Sequence, residues 1–104
     1  MITTHVLDTA EGRPAGGIPV RLEVRELSGW TLVGEGKTGA DGRLRTLVPQ
    51  GAFRAATYRL IFDTRARSAF FPEVSIQFEV ADAGAHYHVP LLLSPFGYST
   101  YRGS

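Results

Sequence analysis

The clearest pattern along the chain has a period of two. From Glu73 to Val80 the apolar residues Val74, Ile76, Phe78 and Val80 alternate with Ser75, Gln77 and Glu79, as in a strand with one face buried and one in water. Val20, Leu22 and Val24 alternate with Arg21, Glu23 and Arg25 in the same way, and Ser28-Gly29 ends that run. Weaker strands are expected over Ile2 to Leu7, Trp30 to Glu35, Leu44 to Val48, Tyr58 to Phe62, His86 to Leu93 and Tyr98 to Tyr101. Turn residues separate them: Glu11-Gly12-Arg13-Pro14 with Gly16-Gly17, then Ala40-Asp41-Gly42, then Ala81-Asp82-Ala83-Gly84. Seven or eight short strands at this spacing predict an all-β fold, an antiparallel β-sandwich. Only the stretch from Asp63 to Phe71 has room for one short helical turn, which Pro72 stops.

The run from His86 to Leu93 breaks clean alternation. One face carries Tyr87, Val89, Leu91 and Leu93 and belongs to the core, while the other carries His86, His88, Pro90 and Leu92. Two imidazoles beside a proline and a leucine make a surface that water alone does not favour, so a second subunit is expected to cover it. Pro90 has no N–H to give to a ladder, which predicts a sheet edge or a bulge there.

Composition narrows the function. A chain of 104 residues fits a single domain, residues 1–104. With 43% hydrophobic and 20% charged residues it reads as an ordinary globular protein, and a mean hydropathy near zero speaks against a membrane protein. A formal charge of +1 argues against a nucleic-acid partner. The absence of cysteine removes disulfides, thiolate nucleophiles and cysteine zinc sites, and suits a cytoplasmic protein, as does an N-terminus with neither a basic nor an apolar leader segment.

Nucleotide and metal motifs are weak. Gly34-Glu35-Gly36-Lys37-Thr38 ends like a phosphate-binding loop but lacks the upstream glycine and the following helix, and reads as a hairpin turn. His5, His86 and His88 are conceivable metal ligands, since positions i and i+2 of a strand share a face, but nothing in the sequence brings His5 to the other two, and no metal is expected. What remains is histidine acid-base chemistry, for which His88 on its covered face is the best candidate. His5 alone reads as a structural imidazole and Arg43 as a solvated charge after a turn; spacing does not unite the three.

A resemblance does. Tyr87-His88-Val89-Pro90-Leu91-Leu92-Leu93-Ser94-Pro95, followed by Phe96-Gly97-Tyr98-Ser99-Thr100-Tyr101-Arg102-Gly103-Ser104, resembles the closing signature of the 5-hydroxyisourate hydrolases, the enzyme branch of the transthyretin family. Thr4-His5-Val6-Leu7-Asp8-Thr9-Ala10 with Gly12-Arg13-Pro14-Ala15 resembles the opening signature, Thr38-Gly39-Ala40-Asp41-Gly42-Arg43 the central one, and Phe70-Phe71-Pro72-Glu73-Val74 the block before the long alternating strand. The resemblance implies a transthyretin-like sandwich of two four-stranded sheets, assembled as a homotetramer, a dimer of dimers with active sites in the channel between dimers. It implies hydrolytic ring opening of 5-hydroxyisourate, a purine-breakdown intermediate formed after urate oxidation, with His5, Arg43 and His88 catalytic and Tyr101, Arg102, Gly103 and Ser104 binding the substrate.

That chemistry needs a base for water, a cation for the developing oxyanion and an acid for the leaving nitrogen. His5 or His88 supplies the first and last, Arg43 the second, and Ser104 with its free carboxylate is placed to orient an imidazole or the water; no cofactor is called for. The rival class is a non-enzymatic carrier of a small aromatic ligand in the inter-subunit channel, as plasma transthyretin is for thyroid hormone, and a third is a sandwich used for protein contacts. One departure from the family is the short segment Arg65 to Ala69, where relatives carry a short helix and where this chain has room for about one turn.

Overall fold

The computed structural model describes residues 1–49, 51 and 53–104. Among them lie nine strands: β1 (Ile2–Asp8), β2 (Arg13–Pro14), β3 (Pro19–Glu26), β4 (Gly29–Lys37), β5 (Arg43–Leu44), β6 (Ala56–Asp63), β7 (Glu73–Val80), β8 (Tyr87–Ser94) and β9 (Gly97–Thr100). One sheet has the order β4-β3-β6-β7. The other runs β2-β1-β8-β9, with β5 also paired to β1. The alternating residues place the core: Val20, Leu22 and Val24 of β3, Leu60 and Phe62 of β6, and Val74 and Val80 of β7 meet Ile2 and Val6 of β1 and Val89, Leu91 and Leu93 of β8, all buried. Each such side chain, fully buried, contributes roughly 1.5–3 kcal/mol relative to exposure.

The all-β sandwich is as the periodicity predicts, with four corrections. β1 and β8 pair in parallel, Ile2 opposite Tyr87 through Asp8 opposite Leu93, because the chain's first strand and a late one lie side by side with the same sense. One sheet has four long strands, but the other has three with the two-residue strands β2 and β5, so the strand expected over Leu44 to Val48 reduces to Arg43–Leu44. There the chain leaves the sheet to bury Leu47. Third, β8 begins at Tyr87, which leaves His86 in the loop before it.

Fourth, Pro90 lies neither at an edge nor at a bulge but inside β8, between β1 and β9. β9 pairs with β8 only from Leu91 opposite Thr100 to Ser94 opposite Gly97. The same register continued past the strand brings Pro90 opposite Tyr101 and His88 opposite Gly103, and the last of these pairs forms as an isolated bridge. The ladder is interrupted at the proline, which has no proton to give, and resumes two residues on. Thr100 Oγ1 donates to the Pro90 carbonyl at 2.7 Å.

The shortened segment forms one turn. Arg67 N and Ser68 N both donate to the Thr64 carbonyl at 2.9 Å, Thr64 N donates to Pro72 O, and Ser68 Oγ donates to Pro95 O at 2.7 Å. Arg67 reaches from it to Asp8 Oδ2 at 2.9 Å and Glu11 Oε1 at 3.1 Å, fastening the turn to the end of β1.

Candidate active site

The site is built on the outer face of the β1-β8 sheet by its registers. Ile2, Thr4 and Val6 of β1 are buried, so Thr3, His5 and Leu7 project from the other face. Opposite His5 stands Arg43 of β5 on one side and Pro90 of β8 on the other; opposite Thr3 stands His88. Residues 38 and 83 positions apart in sequence thereby share one surface.

β5 is held in place by its turn. Val6 N donates to the Gly42 carbonyl at 2.8 Å, and Arg43 N donates to Asp41 Oδ1 at 3.0 Å. Gly42 has φ of +77°, and a Cβ there would run into the Val6 carbonyl oxygen, so no other residue fits the turn. The same turn orients His5, whose Nε2 lies 2.9 Å from the Asp41 carbonyl oxygen. A carbonyl only accepts, so Nε2 carries the proton and Nδ1 is the free position of the neutral ring.

Thr3, Arg43, Arg45, His86, His88 and Ser104 line a pocket of about 210 Å³. Among the described residues no carboxylate lies within ion-pair distance of the Arg43 guanidinium, which leaves its charge for a ligand. Thr3 Oγ1 lies 2.8 Å from His88 Nδ1 and 2.7 Å from His86 Nε2. Half-burial pushes the His88 pKa below its ordinary value, and Arg43, His86, His5 and Arg45 push it the same way by repelling the imidazolium. The shift favours the neutral ring, the form that can take a proton.

The chain thus gathers His5, Arg43 and His88 on one face, although His5 stands beside the pocket and does not line it. The terminal tetrapeptide is divided. Gly103 N donates to the His88 carbonyl at 2.7 Å and Ser104 lines the pocket, whereas Tyr101 and Arg102 line a separate cavity of about 240 Å³ with Tyr87, Phe78 and Thr100. Arg102 stacks its guanidinium 4.5 Å from the centre of the Tyr87 ring. Sequence reasoning passed over Thr3 and Arg45: a threonine in a strand is ordinary, and the one available signal was that Thr3, like His5, falls on the polar phase of β1. No group of three or more histidine or carboxylate side chains is placed to hold a metal ion among the described residues. A larger depression of about 470 Å³ between β3, β4 and β7 is lined by Arg21 and Lys37 against Glu35, Asp63 and Glu73, and holds no histidine.

Comparison with known proteins bears on this surface. The model of the HIUase/Transthyretin family matches residues 2–103. A 5-hydroxyisourate hydrolase of Salmonella dublin is 44% identical over 110 aligned positions, covering all of this chain and 81% of the relative. The structure of the Klebsiella pneumoniae 5-hydroxyisourate hydrolase superposes with a TM-score of 0.85 at 33% identity, covering 99% of this chain and 97% of the other. Sea bream transthyretin in complex with thyroxine superposes with a TM-score of 0.89 at 32% identity over 98% and 93%. The backbone is thus common to a hydrolase and a thyroxine-binding protein, so the fold by itself does not decide between them.

Proposed function

The chain belongs to the HIUase/Transthyretin family, and from that premise we propose that it is a hydrolase that opens the ring of 5-hydroxyisourate without a metal. The observation that carries the reading is the juxtaposition of an unpaired Arg43 with His88, whose pKa is lowered, in a pocket of small-molecule size, with His5 beside it. A carrier of small aromatic ligands needs no acid-base set of this kind.

His88 acts as general base. It takes a proton from water as the water oxygen bonds to a ring carbonyl carbon. The negative charge that collects on the carbonyl oxygen is met by the guanidinium of Arg43, whose planar donors suit a flat anion. As the carbonyl reforms, the ring C–N bond breaks, and the proton held on the imidazole passes to the leaving nitrogen. His5, its Nε2–H fixed on Asp41, presents Nδ1 as an acceptor that orients the water. Gly103 and Ser104 wall the pocket against His88, and Tyr101 and Arg102 serve the substrate by anchoring that wall through the Arg102 stack on Tyr87.

The active form is a homotetramer. β7 and β9 end their sheets, and both line the 240 Å³ cavity, so the two free edges lie on one side of the sandwich and a second copy can extend both sheets together. Two such dimers facing one another cover the His88 and Leu92 surface. The test is to generate 5-hydroxyisourate from urate and follow its ultraviolet decay with and without the protein: accelerated decay is expected, and an unchanged decay overturns the reading.

A further inference from the structure

We propose that Thr3 and His86 form a proton relay for His88, in which the buried Thr3 hydroxyl passes the proton gained during water attack to the exposed His86 ring and returns it when the leaving nitrogen needs it. This rests on the reading of His88 as the general base. The geometry is a continuous path: His88 Nδ1 lies 2.8 Å from Thr3 Oγ1, and Oγ1 lies 2.7 Å from His86 Nε2. Burial rises to the middle and falls again, since His88 is partly buried, Thr3 is 4% exposed and His86 faces solvent.

A hydroxyl has one proton, so between two rings it accepts from one and donates to the other. In the resting state His88 Nδ1–H donates to Oγ1, and the hydroxyl proton points to a bare His86 Nε2. This leaves His88 Nε2 bare, the tautomer a base requires. When Nε2 takes the proton of water, the ring becomes an imidazolium among Arg43 on β5, Arg45 just after it, His5 on β1 and His86, all of which disfavour positive charge there. Two transfers relieve it. The His88 Nδ1–H bond breaks as a new Oγ1–H bond forms, and the original Oγ1–H bond breaks as His86 Nε2–H forms. His88 is then neutral with its proton on Nε2, the tautomer an acid requires, and the charge sits on His86 in water. As Nε2 releases its proton to the leaving nitrogen, the two transfers reverse, so no proton is gained or lost.

The relay is tested first without substrate, by following the imidazole nitrogens of the folded protein by NMR as pH is varied. In the wild type, His86 and His88 are expected to titrate as a coupled pair. Thr3→Val, which keeps the shape of the side chain, should let them titrate independently, and Thr3→Ser should restore the coupling. Unchanged titration of both rings in Thr3→Val overturns the relay, whether or not 5-hydroxyisourate is the substrate. With substrate, His86→Gln keeps a polar partner for Thr3 but takes up no proton; kcat should fall about tenfold, a part of what general acid-base catalysis supplies, with KM held. Free imidazole in the buffer should recover part of the loss. A kcat equal to wild type in His86→Gln, or Thr3→Ser as slow as Thr3→Val, overturns the proposal. No decay above background in the wild type itself removes the hydrolase reading, and the NMR titration then decides the relay alone.

Discussion

Gly103 sits so near His88 that a Cβ built on it would lie 2.6 Å from the imidazole Cδ2 and 3.2 Å from Cγ. The ring is thereby pressed between the tail on one side and the Thr3 hydroxyl on the other. Gly103→Ala is expected to turn the ring off its bond to Thr3, lowering kcat by tenfold or more, since catalysis depends on sub-ångström placement. Denaturant unfolding of the variant should stay near wild type, because the glycine adds nothing to the core. His88→Ala and Arg43→Ala should each reduce turnover about a hundredfold or more in a folded protein, the usual loss for a general base or an oxyanion donor. As the proposed general base His88 acts in its neutral form, and its pKa is depressed, so the acid limb of kcat/KM should fall below the ordinary imidazole value of about 6.5. Arg43→Gln should move that limb upward, as a repelling charge is gone. At this scale His88 was legible in the sequence from its mixed surroundings. His5 and Arg43 were legible only through family resemblance, because their partnership is a register between β1 and β5 that no spacing encodes. Thr3 was legible only as a residue on the polar phase of β1, since its partners lie 83 and 85 positions away.

Among the elements, β3 and β7 followed from alternation, since a half-buried strand must repeat every two residues. Parallel and antiparallel neighbours produce the same alternation, which is why the sense of β1 against β8 was not readable. Pro90 misled for a related reason: the rule that proline avoids central strands concerns its missing donor, and here the ladder simply skips that position. Removal of Tyr101 to Ser104 should therefore spare the sandwich, whose core residues all precede the cut, and abolish hydrolysis by taking away the wall beside His88. Circular dichroism compared with turnover checks it. The end of β1 makes a separate prediction. The Asp8 carboxylate is held below its usual range chiefly by the Glu11 N–H at 3.0 Å, then by Arg67, with burial working in the opposite direction. A carboxylate with a depressed folded-state pKa stabilises the fold above its unfolded pKa, about 3.9, and loses that contribution as pH falls through the folded value. Asp8→Asn should be less stable than wild type near neutrality, and the gap between their unfolding curves should close as pH drops below about 4.

For the whole molecule, the outer face that carries the site also carries Leu92, an apolar residue that one chain leaves half-covered. Sedimentation at working concentration should give a tetramer, and Leu92→Arg should yield dimers with little hydrolytic activity, the charge being buried where two sites face each other. A tetramer that survives the substitution with full activity would place the interface elsewhere. The parallel pairing of β1 with β8 has a consequence in time as well as in space. Thr4 Oγ1 bonds to the Val89 carbonyl, and Thr3 to His86 and His88, across 83 to 85 residues of chain. Contacts of such separation must bear the closure entropy of a loop of more than 80 residues before any of them forms, so they are expected to close late. During synthesis β3, β4, β6 and β7 can meet on the ribosome while β1, with only β2 and β5 beside it, waits for a strand not yet made. The surface proposed as catalytic is therefore assembled only once β8 has been made, and a nascent or truncated molecule that has folded its first sheet holds His5 and Arg43 but lacks His88.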